Sequence, residues 1–239
     1  MSEKELLIYG RNSVKEALLT NRVKSIFLMD DFSFKEILDL IKEKQVHVKY
    51  VSNKELNNLC DGVHQGVAAY IKNYEYFSLE SLLQKARQHD HPVIVILDGI
   101  NDPHNLGAIM RSCDVFNACG IIISKHHQVT LNSTVAKTSV GAINYVPVAL
   151  VNNLNQAIEE LKKEGFWIVA TDGSASLNYQ DLKYDFKVGL IIGSEGDGVS
   201  KLVLKNSDYV VKIPEHGHIH SLNASVAAGI LLAKIKEND

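Results

Sequence analysis

At 239 residues, 46% of them hydrophobic and 22% charged, the chain has room for one large domain or two modest ones, and its composition excludes a disordered polymer. A formal net charge of -3 excludes a generally basic nucleic-acid coat protein and leaves any RNA contact to local patches. Cys60, Cys113 and Cys119 are scattered, with no Cys-x-x-Cys pair, which argues against a disulfide framework or structural zinc and predicts a reducing, cytoplasmic setting.

The opening MSEKELLIYG lacks the cationic and apolar regions of a secretory leader, and no apolar run reaches the roughly 18 residues of a membrane span. RNSVKEALL puts Val14, Ala17 and Leu18 at helical spacing. KSIFLM suits a strand, FKEILDLIKEK repeats Phe34, Ile37, Leu38 and Ile41 as an amphipathic helix, and VHVKYV alternates with period two. VAAYIK closes this small α/β unit. Lys4, Arg11, Arg22, Lys24 and Lys35 give it cations, either ordinary surface charges or groups that meet phosphates. NYEYFSLES breaks the pattern. The expected division is a first domain over 1–72, a linker over 73–80 and a second domain over 81–239.

VIVIL, IIIS, VPVAL, WIVA, VGLII and YVVKI follow as short apolar runs without clean alternation. Such strands belong in a mainly parallel sheet covered on both faces. Helical patterns between them, for example Leu154, Ile158 and Leu161, mark α/β crossover units.

Ligands collect at the carboxyl ends of strands in such a sheet. LDGINDPHNLGAIMRSCDVF follows the first run, and its helix carries an apolar stripe of Leu106, Ile109, Met110, Cys113 and Phe116. Asn105 is expected to cap that helix. Arg111 lies off the stripe, either paired with Asp114 or aimed at a phosphate or reacting oxygen. VGLIIGSEGDGVS sets Gly193, Gly196 and Gly198 after a buried strand, with Glu195 among them; it is neither a Walker loop nor a Rossmann fingerprint. VVKIPEHGHIHSLNAS precedes an apolar helix from about Ala224, with Ser221 or Asn223 as its cap. That helix reads as buried all round, and Gly229 within it suggests a close neighbour. His216, His218 and His220 alternate and read first as solvated or RNA-facing, not as metal ligands.

In order, DPHNLGAIMRS, GLIIGSEGDGVS and IPEHGHIHSLNAS resemble the three motifs of the SpoU/TrmH-type RNA ribose 2′-O-methyltransferases of the SPOUT class. YGRNSVKEALL and HQGVAAYI resemble the accessory substrate-binding domain of the subgroup that methylates a guanosine ribose in 23S ribosomal RNA. The resemblance implies an α/β fold: a small ribosomal-protein-like RNA-binding domain, then a parallel-sheet domain with a deep trefoil knot. It implies S-adenosyl-L-methionine as cofactor, held around Thr171, Asp172, Gly173, Ile192, Gly193, Gly198, Ile213, Leu222 and Asn223. It assigns catalysis to Arg111, with Asn105, Glu195, Ser221 and Asn223 as positioning groups, and it implies no metal and no membrane. A homodimer through the C-terminal domain is implied, with Arg111 acting across it. Asn117 replaces the glycine that often ends the first-motif helix, and asparagine suits a left-handed helix end.

Ribosomal RNA is the expected partner because of the accessory domain, with transfer RNA as the alternative. A non-catalytic ribosome-assembly protein would not need Asn105, Arg111, Glu195, Ser221 and Asn223 together. A nicotinamide oxidoreductase would need a glycine-rich turn after the first strand of the second domain, which is lacking.

Overall fold

The computed structural model describes residues 5–218 and 221–237. Lys4 and His220 lie outside the described residues. The chain forms two compact units.

The first unit runs β1 (Glu5–Tyr9), α1 (Arg11–Leu19), β2 (Val23–Met29), α2 (Lys35–Lys44), β3 (His47–Val51), α3 (Asn53–Leu59) and β4 (Val67–Lys72). Its sheet has the order β1-β4-β2-β3; β4 is antiparallel to both neighbours and β2 is parallel to β3. Ser52 begins α3 with a capping box, accepting from the Glu55 amide while the Glu55 carboxylate accepts from the Ser52 amide. Tyr9, Val51, Leu56, Cys60 and Ala68 form one core cluster.

The second unit runs α4 (Leu79–Ala86), β5 (Val93–Asp98), α5 (Pro103–Val115) and β6 (Gly120–Ser124). A segment with α6 (Ser133–Thr138) follows. Then come β7 (Val148–Val151), α7 (Leu154–Lys163), β8 (Phe166–Thr171), β9 (Leu177–Asn178), β10 (Lys187–Gly193), α8 (Lys201–Lys205), β11 (Tyr209–Lys212) and α9 (Ala224–Ile235). The seven strands lie in the order β7-β6-β5-β10-β8-β11-β9, and every described pair is parallel. Parallel strands need crossover connections, which is why helices alternate with them. On one face, Ile94, Ile96, Ile122, Ile168, Ala170 and Ile191 pack with apolar residues of α4, α7 and α8. Helices α5 and α9 pack against each other, and α9 also meets β10.

The unit boundary differs from a single break near 73–80. Leu131–Asn144 belongs with the first unit, because α6 packs on β1. Helix α4 already begins at Leu79, with Ser78 accepting from the Ser81 amide as its cap. Asn117 takes the expected left-handed conformation, with φ of 51°.

Candidate active site

Strands β8, β10 and β11 end at Thr171, Gly193 and Lys212 on the same edge of the sheet. Cross-strand bonds fix these ends: Thr171 Oγ1 donates to the Ile191 carbonyl at 3.3 Å, and the Asp172 amide donates to the Val211 carbonyl at 3.0 Å. Beyond them lies a cavity of about 330 Å³, within the roughly 300–1,000 Å³ range of small-molecule sites.

The turn after β10 forms one wall. Ser194 and Gly198 exchange two backbone bonds of 3.1 Å, and Ser194 Oγ accepts from the Asp197 amide at 3.2 Å. A Cβ on Gly193 would lie 2.1 Å from the Gly198 carbonyl carbon, and Gly198 has φ of +67°. Both positions therefore require glycine. Asp98 Oδ2 accepts from the Ser200 amide at 2.8 Å, tying this turn to the end of β5.

A hydrogen-bonded trio joins three distant segments. Asn105 Nδ2 donates to Glu195 Oε1 at 2.7 Å. Asn223 Nδ2 donates to Asn105 Oδ1 at 2.9 Å and makes a shorter bond to Glu195 Oε1. Asn223 Oδ1 is then free to cap α9, accepting from the amides of Ser225 and Val226. Asn105 is buried, 6% exposed, so its amide depends on these partners.

Most expected cofactor residues meet at one place. Thr171, Asp172, Gly173, Ile192, Gly193, Gly198, Ile213 and Leu222 line the cavity, as do Glu195 and Ser221. Asn105 and Asn223 stand behind the lining and reach it through Glu195. Ser194, Val199, Lys212 and Ala227 line it as well; the available signal was adjacency to the glycine turn, to Ile213 and to Asn223. Asp172 Oδ1 accepts from the amide and hydroxyl of Ser174, and these bonds hold its carboxyl below the usual carboxylate range.

Two expectations are corrected. Asn105 does not cap α5; the cap is Asp102, whose Oδ1 accepts from the His104 amide at 2.8 Å. Pro103 takes the first helical position, where its missing N–H costs nothing, so the helix starts early enough to place Asn105 inside it. Helix α9 is not buried all round: Val226 is 48% exposed, and a Cβ on Gly229 would meet only Ser112 Oγ, at an ordinary 3.6 Å.

Arg111 is exposed and has no hydrogen-bond or ion-pair partner among the described residues. It lies six residues beyond Asn105, about 9 Å along the helix and about 120° around it, outside the cavity lining. Burial raises the Cys113 thiol well above its ordinary value, which makes it a poor nucleophile. Among the described residues, no group of three or more His, Cys, Asp or Glu side chains is placed to share a metal ion. No helix of the described chain is long and apolar enough to cross a membrane.

Residues 92–233 match the model of the SpoU rRNA methylase family. This chain belongs to that family. Residues 7–77 match the substrate-binding domain of RNA 2′-O ribose methyltransferases. The family's chemistry is S-adenosylmethionine-dependent methylation of an RNA ribose 2′-hydroxyl. A TrmH family tRNA/rRNA methyltransferase of Staphylococcus epidermidis is 41% identical over 97% of this chain and 95% of its own. YacO of Bacillus subtilis, described in the same terms, is 40% identical over 98% and 96%. The fold is shared with the SpoU methyltransferase AviRb of Streptomyces viridochromogenes, solved in complex with AdoMet: TM-score 0.84 at 23% identity, covering 98% of this chain and 89% of that one.

Proposed function

We propose that this SpoU-family member methylates the 2′-hydroxyl of a guanosine in 23S ribosomal RNA, in the cytoplasm, with S-adenosyl-L-methionine held in the cavity at the ends of β8, β10 and β11. The observation that carries this reading is the Asn105–Glu195–Asn223 trio, which joins the three motif segments beside that cavity. Ile192, Ile213 and Leu222 offer apolar walls to an adenosyl group, and the tight backbone of 193–198 offers close approach. When bound, the cofactor supplies a methyl group already activated by its sulfonium, so no metal is required.

The chain's own residues then have to hold the ribose oxygen in line, and orientation alone lowers the barrier substantially. Glu195 fixes the wall of the cavity through Asn105 and Asn223, and Ser221 lines the cavity with a hydroxyl that can serve a ligand. A guanidinium is a poor general base, so Arg111 is read as stabilising negative charge on the 2′-oxygen or orienting a phosphate. Arg111 shares the exposed face of α5 with Val115, 68% exposed, while α9 presents Val226 and the segment before it presents Leu222. These apolar residues support a homodimer in which Arg111 serves the partner's cavity. The family's trefoil knot, formed by threading the C-terminal segment through an earlier loop, belongs to the same reading. The first unit is read as the module that grips ribosomal RNA, and the second as the methyltransferase domain.

The test is methyl transfer from labelled S-adenosylmethionine to unmodified ribosomal RNA and, separately, to unmodified transfer RNA. Incorporation into ribosomal RNA alone is expected; incorporation into transfer RNA alone overturns the substrate assignment. Mixing an Arg111→Ala subunit with a cofactor-dead Gly193→Ala subunit checks the dimer: activity returns only if Arg111 acts across subunits.

A further inference from the structure

A second feature lies at the opposite edge of the large sheet, at the amino ends of its strands. Trp167 is the second residue of β8 and pairs with Val188 of β10; Tyr209 of β11 pairs with Val169 of β8. Paired residues of parallel strands share a face, and residues two apart on a strand do too. Trp167, Tyr209 and Phe186, which precedes β10 by one residue, therefore stand on one face of three adjacent strands. Their rings form a closed set: Trp167–Tyr209 at 5.7 Å and 29°, Phe186–Tyr209 at 5.8 Å and 16°, Trp167–Phe186 at 5.8 Å and 45°. Tyr184 adds a fourth ring at 6.3 Å from Phe186.

This set is not sealed in a core. Trp167 is 47% exposed. Beside it, Tyr184 lines a cavity of about 400 Å³ together with His91, Gln180, Lys183, Asp185 and Lys234. Burial pushes the Tyr184 hydroxyl up to about 12, and that hydroxyl donates to the Tyr179 carbonyl at 2.9 Å, so Tyr184 is a fixed neutral wall. The charges here run against the acidic balance of the whole chain. The cavity lining carries Lys183 and Lys234 against Asp185; Lys234 pairs with Glu237 at the rim, and Asp208, next to Tyr209, pairs with Lys162 at 2.8 Å. Lys187 and Lys236 are anchored by donating to the carbonyls of Glu164 and His91.

We propose that this aromatic face and its lysine-lined cavity form a second RNA contact, which stacks an unpaired base on Trp167 and sets the adjoining phosphates against Lys183, with Lys234 exchanging its Glu237 partner for phosphate. Rigid stacked rings beside ammonium groups are the chemistry that grips single-stranded RNA without reading its sequence. A binding site for a protein would be expected to bring aromatic residues without the cationic excess. The proposal rests on the reading that the substrate is RNA, and it places a contact at the edge of the sheet remote from the methyl-transfer cavity.

Trp167 is the only tryptophan in the chain, so its fluorescence reports this face alone. The full-length protein is titrated with a fluorescently labelled 12-nucleotide single-stranded RNA, following the label's anisotropy and the Trp167 emission in parallel. The expected result is quenching of Trp167 along the anisotropy curve, about tenfold weaker binding for Trp167→Ala, and near-normal binding for Trp167→Phe. Lys183→Ala should weaken binding and flatten its salt dependence. Binding with no change in Trp167 emission, or Trp167→Ala binding as tightly as the parent, overturns the proposal. A change in oligomeric state without loss of RNA affinity overturns it too, in favour of a protein occupant. Quenching without methyl transfer to any RNA would leave this contact standing while the enzymatic reading fails.

Discussion

Glu195→Ala removes the acceptor shared by Asn105 and Asn223. Asn223 keeps the Asn105 carbonyl oxygen at 2.9 Å, but the Asn105 amide loses its partner at 2.7 Å while remaining buried. An unsatisfied buried donor costs about 1–3 kcal/mol. Glu195 itself is exposed, so water recovers part of that, and about 2 kcal/mol is a fair expectation. The trio holds the cavity wall in its binding shape before any ligand arrives, so the loss should reappear in cofactor affinity. Calorimetric titration with S-adenosylmethionine should give a Kd about 30-fold weaker. Combined with Asn223→Ala, the effects should be clearly non-additive, because the two side chains share a bond. A Glu195→Ala protein that binds within twofold of the parent, with additive effects, would refute the view that the trio shapes the cavity.

Other substitutions probe separate parts of the account. Gly193→Ala has no room for its methyl against the Gly198 backbone and should abolish measurable cofactor binding while far-ultraviolet circular dichroism stays native. Gly229→Ala meets only the Ser112 hydroxyl at 3.6 Å, so it should stabilise the protein by up to about 1 kcal/mol; a lower melting temperature would show that a second copy covers that face. Arg111→Ala should leave cofactor Kd unchanged and lower kcat at least a hundredfold; wild-type turnover removes Arg111 from the mechanism. The lowered carboxyl of Asp172 supports its turn fully above about pH 4 and loses that contribution as pH falls through the depressed value. Asp172→Asn should therefore flatten the acid side of a stability profile measured from pH 3 to 6.

Six of the seven strands of the large sheet are readable because each is a short apolar run, and parallel topology fits runs buried on both faces; β9, the two residues Leu177–Asn178 at the edge, carries no such signal. Helix α3 was missed although Ser52 and Glu55 carry the capping-box spacing; its seven residues bury only Leu56, so no periodicity marks it. The membership of 131–144 in the first unit was invisible, because it depends on tertiary packing between α6 and β1. At the site, residue types were legible but their connections were not. Asn105, Glu195 and Asn223 are 90 and 28 positions apart, and no local rule predicts their bonds. Asn105 has the chemistry of a cap, but Pro103 takes the first helical position and leaves the cap to Asp102.

The measurement that bears most directly on the account is the position of the transferred methyl. The protein is incubated with labelled S-adenosylmethionine and unmodified 23S ribosomal RNA, and the RNA is digested to nucleosides. Label in 2′-O-methylguanosine is the predicted result. Label on a nucleobase, or in a ribose of another nucleoside, would contradict it.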